Sequence, residues 1–238
     1  MEFPGHLVEG VLIKKHNNHL ADVAVSRDDR LLVKLQSDNA LPGYGTLGTR
    51  LWFTVNEKFD ASHQVCQLVE VDGGHLVFVN SAMINSLAAE SIECGLIEEL
   101  QDCYKPTLGA VYPQSHEQAD IYLESKAGGV YVECQEVTMG DEIHRGFVPD
   151  CHNNRYSDDL RKLIHAKQLG HRAVLLYCVN HTGIDWVFPA DHIDPNYGAL
   201  LRQAVSVGVE VIAYRIAVSL THIALIEAIP AKVPAKMY

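Results

Sequence analysis

Short runs of apolar residues alternating with polar ones fill the first part of the chain, at 8–13, 21–25, 31–35, 51–55, 65–71 and 75–79. Asp28-Asp29, Pro42-Gly43 with Gly45 and Gly48, and Asp72-Gly73-Gly74 punctuate them as turns. Closely spaced short strands with no helical periodicity between them predict a small β-barrel, OB-like in outline, over residues 1–79.

The pattern changes at Asn80-Ser81. Met83, Ile84, Leu87 and Ala88 follow helical spacing with a polar cap before them, and the helix is expected to continue, after a kink, from Ile92 to Leu100. Two strands follow. The first starts at Asp120 and runs through Ile121-Tyr122-Leu123; the second alternates Val130, Val132 and Cys134 with Tyr131, Glu133 and Gln135. That alternation predicts a half-buried strand with Glu133 and Gln135 on its polar face, and Ala127-Gly128-Gly129 is the expected tight turn. Residues 140–154 read as a loop. Ser157-Asp158-Asp159 reads as the cap of a helix with Leu160, Leu163 and Ile164 as its buried stripe. Residues 173–179 form a continuous apolar run, as a central strand does. Tyr197, Leu200, Leu201, Ala204 and Val205 mark another amphipathic helix, stopped at Gly208 and followed by an apolar strand over 209–214. Residues 80–238 are thus expected to form an α/β domain with a mixed sheet.

Composition narrows this picture modestly. The chain has 238 residues, 47% of them hydrophobic, enough for real cores. A net charge of -11 counts against broad phosphate-backbone binding and leaves room only for a local basic groove or a cation-bridged contact. No basic leader followed by an apolar stretch stands at Met1–Gly5, and no run of roughly 18 apolar residues occurs, so no membrane contact is expected. The six cysteines show no Cys-x-x-Cys spacing and read as reduced thiols of a cytoplasmic protein. Paired antiparallel, the two strands would set the carboxylates of Asp120 and Glu133 close together, a hard-oxygen pair of the kind Mg²⁺ accepts.

The order of pieces resembles the sugar fermentation stimulation protein A (SfsA) family over nearly the whole chain. Tyr131-Val132-Glu133-Cys134-Gln135-Glu136-Val137-Thr138-Met139 resembles that family's strand ending in Glu-Val-Lys-Ser-Val-Thr-Leu, and Gly146-Phe147-Val148-Pro149-Asp150 matches its Phe-Pro-Asp segment. Gly170-His171-Arg172-Ala173-Val174, the segment 188–194 and the segment 208–214 are similar as well. The resemblance implies an OB-like barrel followed by a PD-(D/E)XK nuclease-like α/β domain, DNA as partner, and Mg²⁺ or Mn²⁺ held by Asp120, Glu133 and the backbone carbonyl of Cys134. Gln135 falls where the family carries its catalytic lysine. Other positions depart too. The family's Pro-Asn-Thr-Gly falls on Gln36-Ser37-Asp38-Asn39, its Arg-containing stretch on Glu117-Gln118-Ala119, and its Lys-His pair, after a retained Arg155, on Asp158-Asp159.

The expectation is therefore an SfsA-like DNA-binding protein with a degenerate active site, impaired or inactive because glutamine carries no charge. The alternatives are a Mg²⁺- or Mn²⁺-dependent endonuclease using Gln135 or a migrated lysine (Lys126, Lys162 or Lys167), and an acidic protein-interaction scaffold that has lost DNA binding. Candidate nucleic-acid contacts are Arg155, and on the barrel Lys14, Lys15, Arg50 and Trp52, since OB folds combine basic and aromatic groups to hold single strands. Trp52 and Phe53 must face opposite sides of their strand, so one of them belongs to the core. His16 and His19 read as exposed loop histidines, and Arg161 and Lys162 equally as phosphate contacts or as a solvated helix face.

Overall fold

The computed structural model of the chain describes residues 1–17, 19–35, 46–55, 64–152 and 154–235. The expected turn at Pro42-Gly43 and Gly45, and the segment Gln36-Ser37-Asp38-Asn39, lie outside them.

Six strands form the first sheet: β1 (His6–Asn17), β2 (Leu20–Ala24), β3 (Arg30–Lys34), β4 (Arg50–Val55), β5 (Val65–Val71) and β6 (His75–Phe78). Their order is β3-β2-β1-β4-β5-β6, and a further pairing of Lys34 with Val65 joins β3 to β5 and curls the sheet into a near-barrel. Leu12, Val23, Val33, Leu51, Phe53 and Val69 fill its inside. Phe53 is the core member of the Trp52-Phe53 pair, as the two-residue period of a strand requires.

The rest of the chain builds a mixed α+β unit. Its elements are α1 (Ile84–Glu93), β7 (Cys103–Leu108), β8 (Ile121–Ser125), β9 (Gly128–Val137), β10 (Met139–Gly140), β11 (Arg145–Val148), α2 (Asn154–Gln168), β12 (Arg172–Val179), β13 (Trp186–Pro189), α3 (Pro195–Ser206), β14 (Glu210–Val218) and β15 (Ile223–Ala228). The main sheet runs β15-β14-β12-β9-β8-β7, with β9, β12 and β14 parallel at its centre and antiparallel strands outside them. A three-stranded sheet, β10-β11-β13, sits beside it.

β9 corrects the half-buried expectation. Val130, Val132 and Cys134 pack with α1, while Tyr131 and Val137, on the opposite face with Glu133 and Gln135, pack with α2 and α3. Both faces of a central strand are covered, so its polar side chains are buried too. Three other expectations change. The first helix ends at Glu93 because Gly95 takes a positive φ of 73°, and Glu98–Leu100 is a separate 3-10 turn. Residues 140–154 hold β11, which pairs in parallel with β13, a partner some forty positions away that no local pattern announces. The second helix starts at Asn154, so Ser157, Asp158 and Asp159 lie inside α2 and not at its cap.

The near-barrel and the mixed unit share a core. Phe3, Leu68 and Phe78 belong to the same apolar cluster as Leu87, Val132 and Leu176. The Phe78 N–H donates to the Asn180 carbonyl at 2.8 Å, Thr182 N–H to the Leu76 carbonyl at 3.0 Å, and Phe3 N–H to the Thr221 carbonyl at 3.1 Å. At this joint burial, with His75 and His144 adding, pulls the His181 imidazole down to about 4.

Phe78→Ala should therefore destabilise the whole chain by roughly 3–5 kcal/mol, with both units unfolding in one denaturant transition. Two separated transitions would contradict the shared core. Because His181 takes up protons less readily folded than unfolded, stability should fall as pH drops from about 6.5 towards 4. His181→Gln should flatten that slope in urea denaturation measured across the window.

Candidate functional site

The β8–β9 hairpin places the acid pair. Its register pairs Ile121 with Val132, so Asp120 stands at the next position, opposite Glu133. Asp120 Oδ2 accepts the Cys134 N–H at 2.9 Å, replacing the strand partner that β8 no longer supplies there, and Oδ1 accepts from Asn85 Nδ2 at 2.8 Å. A strand residue's N–H and C=O face the same edge, so the Cys134 carbonyl is turned towards Asp120.

Glu133 is fully buried, and its surroundings follow from that. Oε1 accepts from the Tyr112 hydroxyl at 2.7 Å and lies 2.8 Å from Lys162 Nζ. The same ammonium is 2.9 Å from Asp159 Oδ1. Lys162 and Asp159 are three residues apart on α2 and so share one helix face, the face laid over β9. Burial, with Asp120 and Asp159 adding, pushes the Glu133 carboxyl up to about 8, against the opposing pull of Lys162. Burial also raises Asp159. Burial works to lower Lys162, but Glu133 and Asp159 outweigh it and the ammonium is held above its usual range. Two carboxylates thus meet one buried ammonium, and the third, Asp120, has the largely exposed Arg155 Nη2 3.9 Å away. The cluster is short of positive charge.

Gln135 does not take part in it as a lysine would. Its Oε1 accepts from the Tyr197 hydroxyl at 2.6 Å and its Nε2 donates to the Tyr156 carbonyl at 2.9 Å. The Tyr197 hydroxyl lies 2.8 Å from that of Tyr177, so a buried chain of polar groups runs away from the acid pair. Gln135 Nε2 also donates a longer contact, 3.5 Å, to Asp159 Oδ2, so the residue joins β9 to α2 and α3 and touches the edge of the acid cluster.

The residues suit a small hard cation. Glu133 Oε2 is buried without a hydrogen-bond partner, Asp120 lies near enough to help raise the Glu133 carboxyl, and the donors are all oxygen. Among the described residues no three His, Cys, Asp or Glu side chains converge as a metal-holding set. An ion here would rest on two carboxylates, the Cys134 carbonyl and water, the sparse coordination Mg²⁺ tolerates. Next to Cys134, a cleft of about 190 Å³ is lined by Ser81, Asn85, Glu136, Arg155 and Tyr156. The Glu136 carboxylate there accepts from Ser81 Oγ and Asn180 Nδ2.

The expected barrel contacts are arranged differently. Arg50 is bound by Glu9 at 2.9 Å and Glu70 at 2.7 Å and lies over the Trp52 ring, which is itself half-buried against the shared core. Lys14 is exposed but opposite Asp22 in register, and Lys15 next to it is half-buried. Arg50 pairs with Val11, three positions short of Lys14, so these groups form no common patch. Arg161 pairs with Asp158 at 2.6 Å. Tyr112, Asn85 and Asp159 were not foreseen as site residues. The Asp159–Lys162 spacing within a helix was the one available signal for them.

A near-barrel joined through a shared core to a mixed α/β sheet, with an acid pair on adjacent strands, defines the class. Residues 82–222 match the family model described as the sugar fermentation stimulation protein RE domain. The chain is 35% identical over 222 residues to a sugar fermentation stimulation protein homolog of Shewanella frigidimarina, covering 92% of this chain and 94% of that one. A homolog from Aeromonas salmonicida is 34% identical over 221 residues, covering 90% and 89%. The solved structure of Pyrococcus furiosus SfsA in complex with Ca²⁺ superposes with a TM-score of 0.83 over 98% of both chains at 19% identity, showing the same fold. The chain belongs to the SfsA family. No helix among the described residues is long and apolar enough to cross a membrane.

Gln135→Leu should cost about 1–3 kcal/mol, since it removes two buried hydrogen bonds, the one accepted from the Tyr197 hydroxyl and the one donated to the Tyr156 carbonyl. Equilibrium denaturation checks this. A neutral result would mean the tyrosine chain is satisfied elsewhere.

Proposed function

We propose that the chain is a DNA-acting, metal-dependent phosphodiesterase in which Lys162, on α2, supplies the positive charge that Gln135 does not. The observation that carries this reading is the ammonium of Lys162, fixed 2.8 Å from Glu133 and 2.9 Å from Asp159 at the acid pair. Asp120, Glu133 and the Cys134 carbonyl are the residues that would hold Mg²⁺ or Mn²⁺. The Pyrococcus furiosus relative, described in complex with Ca²⁺, supports a divalent cation in this fold. When bound, such an ion polarises a phosphate oxygen and lowers the pKa of an attacking water.

The chain's own groups do the rest. The Tyr112 hydroxyl, held protonated by burial and by Glu133, fixes the Glu133 carboxylate. Lys162 is already oriented by two carboxylates, so it meets the charge that develops on phosphorus without reorganising. Arg155, with its guanidinium 61% exposed beside Asp120, is placed to hold a neighbouring phosphate. Few such contacts exist on a chain of net charge -11, so DNA binding should be local and salt-sensitive.

DNA binding without cleavage is the second reading, and the same contact favours it. An ammonium at Glu133 already neutralises part of the charge that would otherwise attract a cation.

With Mn²⁺ and low salt, the purified protein should cleave DNA, and Asp120→Ala should abolish cleavage. Lys162→Met should lower the rate about 10²–10³-fold, with far-UV circular dichroism confirming that the variant is folded. Binding without cleavage would select the second reading. No binding at low salt would sink both.

A further inference from the structure

A second cleft, of about 450 Å³, lies away from the acid pair at the joint between the near-barrel and the mixed unit. Val71, Gly73 and His75 line it from the first sheet, and Thr138, Met139, Asp141, Glu142, His144 and His181 from the second unit. It opens at the C-terminal ends of the parallel strands β9 and β12, where open α/β sheets bind their ligands.

Three imidazoles define its chemistry. The His75 ring centre lies 5.6 Å from that of His181 and 6.0 Å from that of His144, the second edge to face. A Cβ on Gly183 would come within 2.6 Å of the His75 ring, so only glycine lets the loop backbone lie against it. His144 Nδ1 is 2.8 Å from the Gly183 carbonyl and must carry the proton, which leaves its Nε2 as an acceptor in the neutral ring. His181 Nδ1 accepts the Gly183 N–H at 2.9 Å, so its proton sits on Nε2 as a donor. Neither nitrogen of His75 makes a hydrogen bond among the described residues.

These features select among ligands. The lining carries Glu142, and Asp141 already held by Arg145, but no lysine or arginine, so a phosphate finds no strong counter-charge there. A transition metal is poorly served, because His181 Nδ1 is already engaged and no three-ligand set converges here. A neutral planar heteroaromatic ring suits the site: it can stack on imidazole faces, donate to His144, accept from His181 and meet the unpartnered His75. Thr138 follows directly from β9, five positions past Glu133, or roughly 17 Å of extended chain. That is about five nucleotides of stacked strand.

We propose that this cleft is a nucleobase site. Resting on the phosphodiesterase reading, its occupant is an unstacked base of the strand whose phosphate sits at Asp120 and Glu133, which makes DNA with a single-stranded stretch the substrate class.

Two measurements on the full chain without divalent metal test it. Fluorescence anisotropy compares a single-stranded oligodeoxynucleotide with a base-free sugar-phosphate oligomer of the same length. His75→Ala should weaken the first about tenfold and leave the second unchanged. Equal losses, or none, would overturn the proposal. In the second measurement, adenosine is titrated into the wild-type protein while the histidine ring NMR signals are followed. Saturable shifts of His75, His144 and His181 support a base site even if no oligomer binds, an outcome that would instead overturn the phosphodiesterase reading. Rings that ignore adenosine, or that respond to Zn²⁺ alone, overturn the base site.

Discussion

The ion cluster of Glu133, Lys162 and Asp159 is the constraint on which the rest of the mixed unit depends. Glu133 sits on a strand covered on both faces, where an unpaired carboxylate is costly. Lys162 answers it only if α2 lies across β9 at one rotation, with Asp159 on the same helix face. That orientation sends Leu160, Leu163 and Ile164 into the apolar layer between helix and sheet. It also brings the Tyr156 carbonyl over Gln135. A buried ion pair of this kind contributes little net stability compared with apolar packing of the same volume. Its presence is better understood as a requirement of the charge that the site keeps.

The same strand carries both clefts. Its middle presents Glu133 to α2 and the Cys134 backbone to Asp120, while its end leads into Thr138 and the histidine-lined joint. Asn180 links the two regions: its N–H donates to the Val137 carbonyl, its side chain donates to Glu136, and its carbonyl accepts from Phe78 of the near-barrel. The near-barrel is therefore not an appendage on a linker. It completes the apolar core on the α1 face and supplies one wall of the larger cleft.

Much of the architecture was legible in the pattern. The short strands of the first sheet, the β8–β9 hairpin, the apolar run of β12 and the α3 helix all announce themselves through local periodicity and turn residues. The acid pair was legible as well, because antiparallel register follows from a hairpin with a short turn. Two of the misreadings share one cause. β11 exists through its pairing with β13, and the polar face of β9 is buried because α2 and α3 come back over it, both consequences of contacts distant in sequence. Asp159 looked like a cap residue because a carboxylate near a helix start usually is one.

The sequence by itself determined which residue types could serve a cation site, that an uncharged glutamine stands two positions after Glu133 on its strand, and how the strands and helices alternate. Only the tertiary structure decided where the positive charge resides. Lys162 is 29 positions from Glu133, and nothing in the spacing of those two residues relates them. Packing α2 across β9 removes water from around Glu133, and in that dry layer an ammonium within contact distance is the partner the carboxylate requires.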